Sequence, residues 1–252
     1  MLGYKINPPP LPRCVERPRL LRRVLAHQVV VLAAPAGSGK TCLAAQLATA
    51  TGGPTAWFLA DELDRGRAEI ATQLGAALSV AWSDLGGTSA AASNGDLAVA
   101  LLGAALETLA GPGCVVMDDV HLLPTDALDA VLRTTVAALP PACRLVVCTR
   151  AGVPESLLQA HADGRAATLG FDDLAFDPDE YARVCASSGR RPDELAHTGG
   201  WPLAVALTAW GESAPGTYRL VTELADLALT EISPAVREIG RASCRERVCL
   251  VV

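Results

Sequence analysis

Lysine is nearly missing from this chain: Lys5 and Lys40 are the only two in 252 residues, against 19 arginines. Aromatic residues make up 4% and leave the core to alanine, leucine and valine. No apolar run approaches the roughly 20 residues that a membrane-spanning helix needs. The first residues, MLGYKINPPPLPRCVERPRLL, hold no apolar stretch of the kind a secretory signal carries. The expectation is a cytoplasmic chain with no membrane partner. Eight cysteines (Cys14, Cys42, Cys114, Cys143, Cys148, Cys185, Cys244 and Cys249) include no C-x-x-C pair, which argues against a zinc ribbon or a dithiol redox motif. They are expected as small core residues in a reducing compartment. The net charge of −6 disfavours nucleic-acid binding through bulk electrostatics. From residue 68 to residue 132 there is no lysine or arginine at all.

Half of the chain is apolar, enough for a large core. Its length suits one domain and part of another. The end, IGRASCRERVCLVV from Ile239, resembles the translation of a common short-read sequencing adapter. We set it apart from fold reasoning, which leaves the remainder at a net charge of −8 and the natural chain continuing past Glu238. Short apolar runs then alternate with helical patterns. Strands are expected at Val29–Ala34, Thr55–Ala60, Cys114–Asp118, Arg144–Thr149 and Ala166–Leu169. A helix from Lys40 to about Ala50 should stop at the Gly52–Pro54 breaker. A second, Ala68–Leu78, repeats apolar residues at Ile70, Leu74, Ala77 and Leu78. Residues 83–95 read as a loop, and Asp96–Ala110 as a helix apolar nearly all round, hence buried. Thr125 is expected to cap a helix whose Leu128, Val131, Leu132 and Val136 share a face, halted at Pro140–Pro141. After about Phe176 the strands stop, and Pro178–Ser187, Pro192–His197, Pro202–Trp210 and Tyr218–Thr230 read as short helices. The fold expected is α/β: a five-stranded parallel sheet flanked by helices, then a truncated all-helical domain. The domains would be 1–27 as an N-terminal segment, 28–175, 176–238 and the tail 239–252.

One stretch carries chemistry. VVVLAAPAGSGKT, Val29–Thr41, runs a buried strand into a glycine turn with a helix opening at its end. That is the context of a P-loop. Gly37 and Gly39 let the backbone curl, so that amides from Ala36 through Ser38 to Cys42 converge on an anion beside a helix N-terminus. Lys40 would reach the β- and γ-phosphates, and the Thr41 hydroxyl would take one Mg²⁺ position. The usual first glycine is replaced by Ala34. CVVMDDVH, Cys114–His121, has the form of a Walker B strand: Asp118 would hold Mg²⁺ through water, and Asp119 would orient or deprotonate the attacking water. VVCTR puts Arg150 at the same end of the sheet, placed to sense a γ-phosphate. His121, His27, His161 and His197 show no metal-ligand spacing.

The nucleotide and the output follow partly by elimination. A GTPase base reader of the form Asn-Lys-x-Asp needs a lysine, and both are already placed; adenine is favoured. The cation-free stretch before the Walker B strand disfavours a small-molecule kinase, and the acidic balance disfavours a nucleic-acid motor. An AAA-type or other P-loop enzyme, with Arg165 as its arginine finger, stays open. So does a nucleotide-binding region attached to a protein kinase.

Seven stretches, in order over about residues 8 to 210, resemble the large ATP-binding LuxR-type transcriptional regulators, the family of the maltose-regulon activator, within the STAND class of signal-transduction ATPases. They are PPPLPRCVERPRLL (Pro8–Leu21), APAGSGKTCLAAQLA (Ala34–Ala48), AWFLADELDRG (Ala56–Gly66), VVMDDVHLL (Val115–Leu123), LPPACRLVVCTR (Leu139–Arg150), DLAFDPDE (Asp173–Glu180) and GGWPLAVAL (Gly199–Leu207). Ala34 fits that family, whereas Ser38 stands where it usually has an aromatic. The resemblance implies ATP or ADP with Mg²⁺ as cofactors, Pro202 lying against the adenine and Arg17 closing the base pocket. It implies a latch: ADP holds a closed monomer, ATP with an inducer favours an open form that self-associates, and slow hydrolysis resets it. DNA would be contacted only through a C-terminal domain beyond this chain. Without the resemblance, Pro202 reads as the first-turn proline of a helix with Trp201 in the core, and Arg17 as a solvated arginine.

Overall fold

A computed structural model describes residues 5–9, 14–83, 94–193 and 198–210. They form two compact units: residues up to Ala33 together with Lys40–Gly170, and Ala34–Gly39 together with residues from Phe171 onward.

The first unit is built on five parallel strands, β1 (Val29–Ala33), β2 (Thr55–Leu59), β3 (Gly113–Asp118), β4 (Cys143–Thr149) and β5 (Ala166–Leu169), in the order β2-β3-β4-β1-β5. Their side chains explain their place. Val29, Val30, Val31 and Leu32 are all fully buried, as are Cys114 to Met117 and Leu145 to Cys148. A strand buried on both faces reads as a continuous apolar run, which is why the sheet was legible without alternation. Each such side chain removed from water is worth about 1.5–3 kcal/mol. The sheet is therefore the main source of stability, and its ends are rigid mounts for functional groups.

Helices α1 (Pro18–Val24), α2 (Lys40–Thr51), α3 (Arg67–Ala81), α4 (Gly95–Glu107), α5 (Thr125–Ala138) and α6 (Leu158–Ala162) complete this unit. α2 is halted by Gly52 in the left-handed region, φ 68°. α3 buries Ile70, Leu74, Ala77 and Leu78, the expected stripe, but runs a turn further at its C-terminal end. Of the expected loop at residues 83–95, residues 84–93 lie outside the described residues. Asn94 caps α4 by accepting from the amides of Asp96 at 2.9 Å and Leu97 at 3.4 Å.

Two expectations need correction. α4 is not buried all round: Ala98, Leu102, Ala105 and Leu106 face inward, while Leu97 and Leu101 are exposed, and the helix ends at Glu107 because Thr108 returns its hydroxyl to the Ala105 carbonyl. Thr125 does not cap α5. It is the first helical residue, and the cap position falls on Pro124, which makes no side-chain cap bond.

In the second unit, α7 (Phe171–Leu174), α8 (Pro178–Ser188) and α9 (Pro202–Trp210) follow one another. α8 opens on a capping box in which Asp177 accepts from the Glu180 amide at 2.8 Å and Glu180 accepts from the Asp177 amide at 3.0 Å. The Phe176 amide donates to the Gly200 carbonyl at 2.8 Å, and the Phe176 and Tyr181 rings meet edge to face at 6.4 Å. The helices expected at Pro192–His197, beyond its first two residues, and at Tyr218–Thr230, with the tail 239–252, lie outside the described residues.

Candidate nucleotide site

The C-terminal ends of β1, β3 and β4 abut: Ala33 is registered with Thr149, and Met117 with Val147, so Asp118 comes beside Cys148 at the strand tips. Lys40 and Thr41 open α2 in the same unit. Asp118 is buried, and three groups donate to its carboxylate: the Thr41 hydroxyl, the Cys148 thiol and the Asp119 amide, the last at 3.0 Å. The Lys40 ammonium is buried too, and feels the charges of Asp119, Arg150 and Asp118. Burial is the largest influence on both charged groups. It pushes Lys40 below the usual lysine range, and it pushes Asp118 above the usual aspartate range, helped by Asp119. A buried ammonium and a buried carboxylate that are each disfavoured in this way are held ready for charged ligands.

Asp119 follows in a left-handed conformation, φ 54° and ψ 34°, the only positive φ outside glycine among the described residues. Its carboxylate lies 3.9 Å from Arg150 Nε and 3.7 Å from His121 Nδ1. Such backbone strain persists only where the surroundings over-determine it. The sequence reading brought Asp118, Asp119, Arg150, Lys40 and Thr41 into one group, and the first unit does contain them together. It missed Cys148. The signal was available: Cys148 is the residue that the parallel register sets beside Asp118. No group of three or more His, Cys, Asp or Glu suited to a metal occurs among the described residues.

Arg17 is not solvated, as the simpler alternative had it: it is buried, its amide donates to Gln46 Oε1 at 2.8 Å, and its charge acts on Cys42. The other lysine is also accounted for. Lys5 Nζ lies 2.8 Å from both Asp61 and Asp64, and Asp64 also accepts from Gln73 at 2.5 Å. The two lysines thus have different duties, and Lys5 ties the N-terminal segment to the turn after β2.

The glycine turn belongs to the second unit. Gly37 (φ 72°) and Gly39 (φ 79°) occupy the left-handed region that glycine alone adopts freely. A Cβ on Gly37 would come within 2.7 Å of Leu203 Cβ, and one on Gly39 within 3.6 Å of Pro202 Cβ. The Leu203 amide donates to the Gly37 carbonyl at 3.0 Å. Pro202 stands in the first turn of α9 and is buried, whereas Trp201 is only half-buried and rests against Gly37. Ser38 Oγ is buried with no hydrogen-bond partner among the described residues. An orphaned hydroxyl in a turn of left-handed glycines fits an anion, and the hard oxygens of Thr41 and Asp118 fit Mg²⁺.

No family model matches the chain. Among curated proteins, the HTH-type transcriptional regulator MalT of Yersinia enterocolitica serotype O:8 is 29% identical over 230 residues, covering 84% of this chain and 25% of that protein. MalT of Yersinia pestis (strain Pestoides F) is 28% identical over the same span. The chain spans about a quarter of the length of these relatives. Among solved structures, a STAND protein with a tetratricopeptide repeat sensor from Pyrococcus horikoshii superposes with a TM-score of 0.57 at 19% identity, covering 93% of this chain and 40% of that one. The ORC1 protein of Aeropyrum pernix, solved in complex with DNA, gives 0.51 at 14% identity, with 88% and 70% covered. Cdc6p from Pyrobaculum aerophilum gives 0.52 at 15%, with 86% and 65% covered. The chain shares its fold with these ATPase-type structures, and its sequence is similar to MalT over most of its length. No helix among the described residues is long and apolar enough to cross a membrane.

Proposed function

We propose that this chain is the nucleotide-binding part of a signal-responsive, LuxR-type transcription regulator, and that it binds ATP or ADP with Mg²⁺ as a switch. The observation that carries the reading is the buried Asp118 carboxylate, which accepts from Thr41 in the unit that also buries Lys40. A P-loop threonine bonded to the Walker B aspartate is the donor set for one divalent cation, and Mg²⁺ when bound would neutralise phosphate charge. Lys40 adds a desolvated ammonium for the terminal phosphates, and the amides from Ala36 to Cys42 supply their remaining donors. Asp119, 3.9 Å from Arg150 Nε, accepts a proton from or orients the attacking water. Arg150 reads the γ-phosphate. Pro202 and Arg17 are assigned to the adenine, as the MalT-like sequence implies.

On this reading nucleotide exchange sets the signalling state, hydrolysis is slow, and the ATP state self-associates. Contact with DNA belongs to parts of the protein outside this chain, and the location is the cytoplasm. Shifting such a switch from 1:99 to 99:1 takes about 5.5 kcal/mol of differential binding, more than one phosphate contact supplies, so inducer and self-association must contribute. The test is calorimetric titration with ATP and ADP in the presence of Mg²⁺, followed by gel filtration in each nucleotide. Binding of both, with a larger species in ATP, is expected. No heat with either nucleotide would refute the reading. A P-loop enzyme doing mechanical work would instead turn ATP over steadily.

A further inference from the structure

Two thiols touch each other, one of them on Cys42, whose amide is assigned to phosphate. Cys14, in the segment leading to α1, and Cys42, in the first turn of α2, share a side-chain hydrogen bond, and both are free and half-buried. The contact is built by a neighbour. Gln46, one helical turn beyond Cys42 on the same face of α2, donates from Nε2 to the Val15 carbonyl at 2.8 Å and accepts at Oε1 from the Arg17 amide at 2.8 Å. That pair of bonds clamps the backbone beside Cys14 against the helix, so the two sulfurs meet by design of the local fold. Closing an S–S bond of about 2.05 Å from hydrogen-bonding contact requires the two side chains to turn toward each other and the backbones to sit within about 4.4–6.8 Å at Cα. The sequence alone gave no sign of it, because the two cysteines are 28 positions apart.

We infer that Cys14 and Cys42 form a reversible disulfide with a small-molecule disulfide such as oxidised glutathione as oxidant, fastening the N-terminal segment covalently to α2. The Cys14 thiol gives its proton to solvent, and its thiolate attacks one sulfur of the oxidant, expelling a glutathione thiolate and leaving a mixed disulfide. Cys42, deprotonated in turn, attacks Cys14 Sγ and expels the second glutathione thiolate. The two protein thiols are oxidised by two electrons, and the oxidant is reduced to two thiols. The order follows from the shared bond: Cys42 donates to the Cys14 sulfur, which favours the Cys14 thiolate and makes it the first nucleophile. Cys114, Cys143 and Cys148 do not compete, because all three are buried in the sheet. This inference does not depend on the nucleotide reading.

The whole 252-residue chain is incubated with oxidised glutathione, alkylated, and digested without reduction for peptide mapping. A linked peptide joining Cys14 to Cys42, reversed by dithiothreitol, is expected. Exchange of the Arg17 amide should slow about tenfold on oxidation, because the segment can no longer lift away. Cys42→Ser should trap a stable glutathione adduct on Cys14, and Gln46→Ala, which removes the clamp, should slow cross-linking about tenfold. Wild-type chain in which both cysteines stay unmodified would overturn the inference. So would a glutathione adduct on Cys14 that never resolves, or cross-linking of other cysteines in preference to this pair.

Discussion

The Gly37 carbonyl accepts the Leu203 amide at 3.0 Å, so the glycine turn and the start of α9 are joined backbone to backbone. Gly37 also sits at φ 72°, and a Cβ there would lie 2.7 Å from Leu203 Cβ and 3.0 Å from Trp201 Cζ2. Left-handed geometry and lack of space therefore act at one position. Gly37→Ala should cost about 2–3 kcal/mol and weaken nucleotide binding together with it. Thermal unfolding and a nucleotide titration on the same sample check this. A variant with unchanged stability would show that the contact with Leu203 does not matter.

Lys40 separates binding from stability. Burial disfavours its charge, so the empty protein gains little from keeping an ammonium there. Lys40→Ala should abolish detectable ATP binding by calorimetry, while the unfolding midpoint without nucleotide stays level or rises. Tight binding by this variant would contradict its assignment to the phosphates.

The adjacent aspartates should respond differently. Asp118, raised by burial and by Asp119, contributes stability that is complete below the ordinary aspartate value and is lost as pH climbs through its own folded value. At neutral pH its ionised form is a cost to the empty chain. Asp118→Asn should raise the unfolding free energy by about 1 kcal/mol and weaken the Mg²⁺ dependence of binding. Asp119→Asn, at the strained position beside Arg150, should leave binding intact and slow hydrolysis about a hundredfold or more. Melting curves and single-turnover hydrolysis separate the two.

The strands were legible because a sheet buried on both faces writes itself as unbroken valine and leucine, and β5 matched to the residue while the others differed by one. Helix starts were harder. Thr125 has the chemistry of a cap, but Pro124 already holds an extended backbone, φ −58° and ψ 131°, and takes the cap position instead. The exposure of Leu97 and Leu101 was hidden because composition tells how apolar a helix is, not how many of its sides have partners. The assignment of P-loop and Walker B residues rests on their spacing and strand context. Cys148 beside Asp118, Cys14 beside Cys42 and Lys5 between two aspartates are contacts made by strand register or chain return, and no local pattern announces them.

Lys5 offers a test of the N-terminal segment. It is buried, and burial opposes its charge, but hydrogen bonds to Asp61 and Asp64 outweigh burial and leave the amino group above the usual lysine range. A raised folded value means stability that is complete below about pH 10.5 and lost as pH rises through the folded value. Between neutral pH and strong alkali the wild-type chain should therefore lose more stability than Lys5→Met, whose apolar side chain has no proton to lose. Asp64→Ala at neutral pH removes one carboxylate from a buried ammonium and should cost about 3 kcal/mol. Lys5→Met should cost less than Asp64→Ala, because Asp61 is partly exposed and Asp64 keeps the Gln73 bond. Denaturant melts of the two variants at neutral and alkaline pH decide it. Equal costs, with no difference in alkaline sensitivity, would mean that the ion pair contributes nothing to holding this segment.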